Sequence, residues 1–61
     1  MKFIFRDWTN KEHTKTTKAT SCRYAYEYIG GVQKWVVRDF NNKIINKFSI
    51  PDSWMCIKVE N

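Results

Sequence analysis

Seven residues around Asn41-Asn42 carry chemistry that one face of a sheet can use: Lys34, Val36, Arg38 and Phe40 alternate along one run, and Lys43, Ile45 and Lys47 along the next. Cations interleaved with aromatic and aliphatic groups suit two kinds of contact. Against a nucleic acid, the cations neutralise phosphates while an aromatic ring stacks a base, worth about 1 to 3 kcal/mol per base. Against a protein, the apolar groups form a desolvated centre and the charges steer association with an acidic surface. Lys2, Ile4, Arg6 and Trp8 alternate with Phe3 and Phe5 and have the same character. A first strand in the same sheet would join them to the other seven as one partner-binding surface. The competing account is a solvated face whose long side chains shield a few aliphatics.

No catalytic or metal-binding set emerges beside this surface. His13 is the one histidine, and with Cys22 and Cys56 it does not approach zinc-ligand spacing. It reads as a solvated turn residue. Ser21 reads as a helix cap and Cys22 as helix core, so neither makes a nucleophile for His13. Asp7 and Asp39 each follow an arginine and read as ion-pair partners. Lys34, Arg38 and Tyr24 are the types a small RNase would use, without a geometry to support it. The chain is expected to be non-enzymatic, with no cofactor and two reduced thiols. The aromatic-glycine signature of RNA-binding sheet domains, a GxxG clamp, zinc-finger spacing and a helix-turn-helix are all missing.

Eleven Lys and Arg against six Asp and Glu give a net charge of +5 in 61 residues. That balance favours nucleic acid or an acidic protein surface. One domain, 1–61, is expected, and a chain this short buries only about 60% of its unfolded surface. A second copy of the chain is therefore a further candidate partner. No apolar run approaches the roughly 20 residues of a membrane span, and Met1 to Arg6 is too short for a signal peptide, so a cytoplasmic location is expected.

The elements that must position these residues follow from periodicity. Asn tolerates positive φ, so Asn41-Asn42 predicts a two-residue hairpin loop within Gln33 to Ile50. Phe40 then faces Lys43, Arg38 faces Ile45, Val37 faces Asn46, Val36 faces Lys47 and Trp35 faces Phe48. Trp35, Val37, Ile44, Phe48 and Ile50 turn inward. Lys2 to Trp8 predicts a strand with Phe3 and Phe5 inward, Thr9 to His13 a turn, and Thr14 to Thr20 an edge strand. Cys22, Ala25, Tyr26 and Ile29 at i, i+3, i+4 and i+7, stopped by Gly30-Gly31, predict a short helix laid on the sheet. Tyr24 and Tyr28 on its other side offer a second surface. Pro51 to Ser53 predicts a turn, and Trp54 to Val59 a last strand. The expected fold class is α+β, a β-β-α-β-β(-β) domain with one helix on an antiparallel sheet. No internal repeat stands out.

The segments FRDWTNKE, YAYEYIGG and WVVRDFNNKII, taken as an arrangement, resemble the layout of small accessory proteins of tailed phages, in particular Dmd-type antitoxins. The likeness spans Met1 to Ile50 and carries no functional residue across. It implies a stoichiometric inhibitor, an anti-defence or host-takeover factor, acting on an acidic host protein in the host cytoplasm. A single-stranded RNA or DNA module using the same face is the alternative.

Overall fold

The computed structural model describes residues 1–61. Six strands run in the order β1 Lys2–Arg6, β2 Glu12–Thr16, β3 Arg23–Ile29, β4 Val32–Arg38, β5 Ile44–Ser49 and β6 Met55–Glu60. They form two three-stranded antiparallel sheets, β2-β1-β6 and β3-β4-β5. The chain accordingly divides into two units, Met1–Thr20 with Pro51–Asn61, and Ser21–Ile50.

The fold is all-β, which overturns the expected α+β class. The segment read as a helix is strand β3. Tyr24, Tyr26 and Tyr28 recur at period two, and aromatic residues favour a pleated surface. A helix of that length is marginal alone, whereas β4 offers a seven-pair ladder and the Trp35 ring. Gly30 and Gly31, at φ 61° and 78°, form the two-residue turn between Ile29 and Val32. Positive φ at both central positions is what such a turn requires. A Cβ at either glycine would meet nothing within 4 Å, so backbone angle alone explains them.

In the Met1–Thr20 and Pro51–Asn61 unit, Phe3 and Phe5 are fully buried, as the alternation predicts. Lys15 and Val59 flank Phe3, while His13 and Cys56 flank Phe5. A bulge in β6 near Ile57 lets Cys56 and Val59, three apart in sequence, face the same side. Trp54 follows the expected Pro51 turn, its N–H donating to the Pro51 carbonyl at 3.0 Å. Its ring tilts toward Phe5 at 6.4 Å and stacks on His13 at 3.8 Å.

In the Ser21–Ile50 unit, β4 is central, and Trp35, Val36 and Val37 are all buried. Neighbouring residues on a strand point to opposite faces, so this strand is covered on both. Tyr24 and Tyr26 pack on Trp35 on one side, at 5.6 and 4.9 Å between ring centres. On the other, Arg38 reaches along the ladder to Glu27, across the Ala25–Val36 pair. Ile50 is buried as expected, but Ile44 is exposed.

The two units are copies of one motif. Residues 2–15 and 34–47 align at a spacing of 32 and are identical at Lys2/Lys34, Arg6/Arg38, Asp7/Asp39, Asn10/Asn42, Lys11/Lys43 and Lys15/Lys47. Arg6 pairs with Met55 and Arg38 with Arg23, a spacing of 32, while Lys2 pairs with Glu60 and Lys34 with Glu27, a spacing of 33 that the β6 bulge accounts for, so β6 stands to β1 as β3 stands to β4. One copy, β3-β4-β5, is continuous; the other, β6-β1-β2, is completed from the two ends of the described chain. The repeat is thus present, contrary to the sequence expectation. It predicts that joining Asn61 to Met1 through Ile-Gly-Gly-Val, the Gly30-Gly31 turn with the strand residue on either side, and opening the chain between Thr20 and Ser21 preserves the fold. The thermal midpoint should stay within about 8 °C of the parent, the shift that ~1 kcal/mol produces at this size. A permutant lacking cooperative unfolding would contradict the equivalence of the copies.

Candidate functional site

The turns after β1 and β4 share one geometry. In the first, the Asn10 N–H donates to the Asp7 carbonyl at 3.0 Å, and the Asp7 N–H to the Lys11 carbonyl at 3.0 Å. In the second, Asn42 to Asp39 and Asp39 to Lys43 repeat these bonds at 3.0 and 2.9 Å. Each turn is a three-residue loop ending in an Asn at positive φ, 67° for Asn10 and 68° for Asn42. Asp Oδ1 accepts two backbone N–H groups inside each: Thr9 and Lys11 at 2.8 and 3.0 Å on Asp7, Asn41 and Lys43 at 2.9 Å on Asp39. The recurring Asp and Asn are therefore the residues the backbone needs.

The aromatic residue after each Asp is not needed by the turn. Trp8 is 82% exposed and Phe40 60% exposed. Arg23 lies 5.9 Å from the Phe40 ring centre, a cation over an aromatic face, and donates to the Phe40 carbonyl at 3.4 Å. Lys11 and Lys43 close the two loops and are exposed.

The single basic face expected from sequence is not assembled in one sheet. Lys2, Ile4, Arg6 and Trp8 belong to the β1 unit, and Lys34, Val36, Arg38, Phe40, Lys43, Ile45 and Lys47 to the β4–β5 unit. Val36, placed outward by the alternation, is wholly buried, on the sheet face that carries the Arg38–Glu27 pair. Arg38 donates to both Glu27 oxygens at 2.9 and 3.0 Å and to the Asn42 carbonyl at 3.0 Å. Lys34 donates to Ser49 Oγ at 3.1 Å. Lys2, Lys47 and Ile45 are exposed, and Arg6 pairs with Glu12 at 3.4 Å. Tyr24 is drawn onto Trp35, while Tyr28 is exposed and donates to Gln33 Oε1 at 3.2 Å.

The charges divide unevenly. Glu12, Glu27 and Glu60 hold Arg6, Arg38 and Lys58, and Asp7 and Asp39 are occupied by their turns. Of the six carboxylates only Asp52 is left over, whereas eleven cations less those three leave eight without a carboxylate partner. The net charge remains +5, and its surplus lies on lysines and an arginine without a carboxylate partner.

Neither aspartate pairs with its neighbouring arginine, and His13 is not a solvated turn residue. His13 lies on β2, half-buried, with Nε2 2.9 Å from Asp7 Oδ2. His13 holds the Asp7 carboxyl far below the usual carboxylate range, helped by the Thr9 hydroxyl and by the Lys11 and Thr9 N–H groups, with burial opposing. Hydrogen bonds from Arg38 lower Glu27 likewise, against its own burial. Carboxylates depressed in the fold stabilise it above their unfolded values, near 4, and lose that contribution as pH falls. The thermal midpoint should therefore fall from about pH 5 toward pH 2, and Asp7→Asn should flatten the fall. A wild-type profile flat across that range would contradict these bonds.

The residues weighed for catalysis are dispersed. Tyr24 and Arg38 lie on opposite faces of their sheet, because Tyr24 pairs with Val37, the residue before Arg38. Cys22 and Cys56 form no disulfide, and burial pushes the Cys56 thiol up. No group of three His, Cys, Asp or Glu converges on a metal site. No helix is long and apolar enough to cross a membrane. No family model, curated protein or solved structure matches the chain. The helix in the layout that resembled Dmd-type antitoxins is strand β3.

The turn motif R-D-aromatic-x-N-K was visible in the sequence as RDWTNK and RDFNNK. Aligning those two hexapeptides is the signal that would have found the site.

Proposed function

We propose that the protein is a non-enzymatic binding module for single-stranded nucleic acid, gripping the strand with exposed turn aromatics and uncompensated lysines. The observation that carries this reading is Trp8 at 82% exposure on a turn that does not require it, in a unit whose Lys2, Lys11, Lys15 and Lys18 lack carboxylate partners. Stacking on an open ring accepts any base, and lysines track the phosphates. Docking on an acidic protein, as a stoichiometric inhibitor would, fits less well: Val36, one of the apolar residues of the expected face, is buried. The exposed Phe40, Ile44 and Ile45 in one unit favour that second reading.

Fluorescence anisotropy with a labelled oligothymidylate is the test. Binding at about 50 mM salt should weaken by roughly tenfold or more at 200 mM, as release of several counterions requires. No binding at the lower salt would exclude nucleic acid and leave the acidic-protein reading.

A further inference from the structure

We infer that the two turns are one recognition element present twice, each stacking a single base of the strand beside a phosphate held by its lysine, so that one chain carries two equivalent nucleotide sites. This rests on the nucleic-acid reading above and adds the site, its stoichiometry and the unit of ligand recognised. Three observations converge on it. The backbone hydrogen bonds and Asn φ values of the two turns agree closely, so the ring and the lysine are set on matching frames. Asp and Asn recur because the loop needs them, whereas the aromatic recurs at a position where the loop needs nothing; both rings are exposed, Trp8 the more fully, and Phe40 has Arg23 over its ring at 5.9 Å, a second cation beside the base it would stack. Lys11 and Lys43 recur beside it without a carboxylate partner, while Arg6 and Arg38, which also recur, are held by Glu12 and Glu27. The pair left for a ligand is thus Trp8 with Lys11, and Phe40 with Lys43. A ring and a cation at each turn match a base and its phosphate. The same element twice matches a polymer that repeats its own unit.

The test follows backbone amide shifts by NMR in the intact chain as thymidine tetranucleotide is added. Both turns, Trp8 to Lys11 and Phe40 to Lys43, should respond with matching midpoints. Trp8→Ala should weaken the first response by about 5- to 150-fold, the loss of one stacked base, and leave the second unchanged. Phe40→Ala should do the converse, and neither variant should lower the thermal midpoint. A response at one turn only, or at the strands with both turns silent, would overturn the inference while nucleic-acid binding stood. A lowered midpoint in Trp8→Ala would make the ring a packing residue and overturn it too. Silence toward the tetranucleotide combined with a response to polyglutamate would remove the nucleic-acid reading itself.

Discussion

Phe5→Ala is expected to cost about 3 to 5 kcal/mol, the range for deleting a fully buried aromatic, and to leave much of the chain unfolded at 25 °C. Phe5 has no exposed surface, sits on the central strand of its sheet, and lies under the tilted ring of Trp54. Removing it opens a cavity and takes the support from under Trp54, which also stacks on His13, the partner of Asp7. A chain of this length has little stability in reserve, because it buries a smaller fraction of its surface than larger domains do. Urea unfolding followed by tryptophan emission measures the loss. A cost below about 1 kcal/mol would mean that the site repacks and that Phe5 is not the anchor of its sheet.

Val36→Asp separates the structure from the sequence expectation. On an outward basic face, the substitution would reduce binding and hardly touch stability. Val36 is instead fully buried, on the sheet face that carries Arg38 and Glu27, so the new carboxylate would be desolvated on a face that already holds one. A buried ion carries an effective penalty of several kcal/mol unless paired; Arg38 is already engaged by Glu27, and Lys47, opposite residue 36 in the ladder, is exposed and would have to give up its own hydration to pair. The variant should fail to fold cooperatively. Circular dichroism reads the outcome, and a folded Val36→Asp chain would restore the flat-face placement of the site.

Much of the fold was legible in the residues. Phe3 and Phe5 alternate cleanly and are both buried. The ladder pairs Val37–Asn46, Val36–Lys47 and Trp35–Phe48 lie where a tight hairpin places them, although the loop itself holds three residues. A bulge beside Arg38 absorbs the difference, pairing Arg38 with Ile44 instead of Ile45, so one error in the turn cancelled further down. Segment Cys22 to Ile29 defeated the reading because two periodicities coexist there. Its small and aliphatic residues recur at helical spacing and its tyrosines at strand spacing, and packing on Trp35 decides between them. Gly30-Gly31 gave no help, since positive φ serves a helix stop and a hairpin turn equally. Val36 was misplaced because a central strand covered on both faces does not alternate in burial.

The candidate site was legible in its residue types but not in its grouping. Trp8, Phe40, Lys43 and the arginines were singled out as members of one sheet face. Their actual bond is repetition: the same turn occurs at two places 32 residues apart, with an exposed aromatic and a lysine without a carboxylate partner at each, Arg23 lying over the Phe40 ring in the second. Arg38, the most prominent cation by sequence, spends its charge on Glu27, which no local pattern announced.

The most direct test of the central claim is the affinity of the Trp8→Ala, Phe40→Ala double variant for oligothymidylate at low salt. Both turns keep the Asp and Asn that build them, so the thermal midpoint should be unchanged. Affinity should fall by at least about 5-fold, the smallest single-base loss, because no turn with its ring remains. Wild-type affinity in a folded double variant would contradict the claim that the two turns are the binding site.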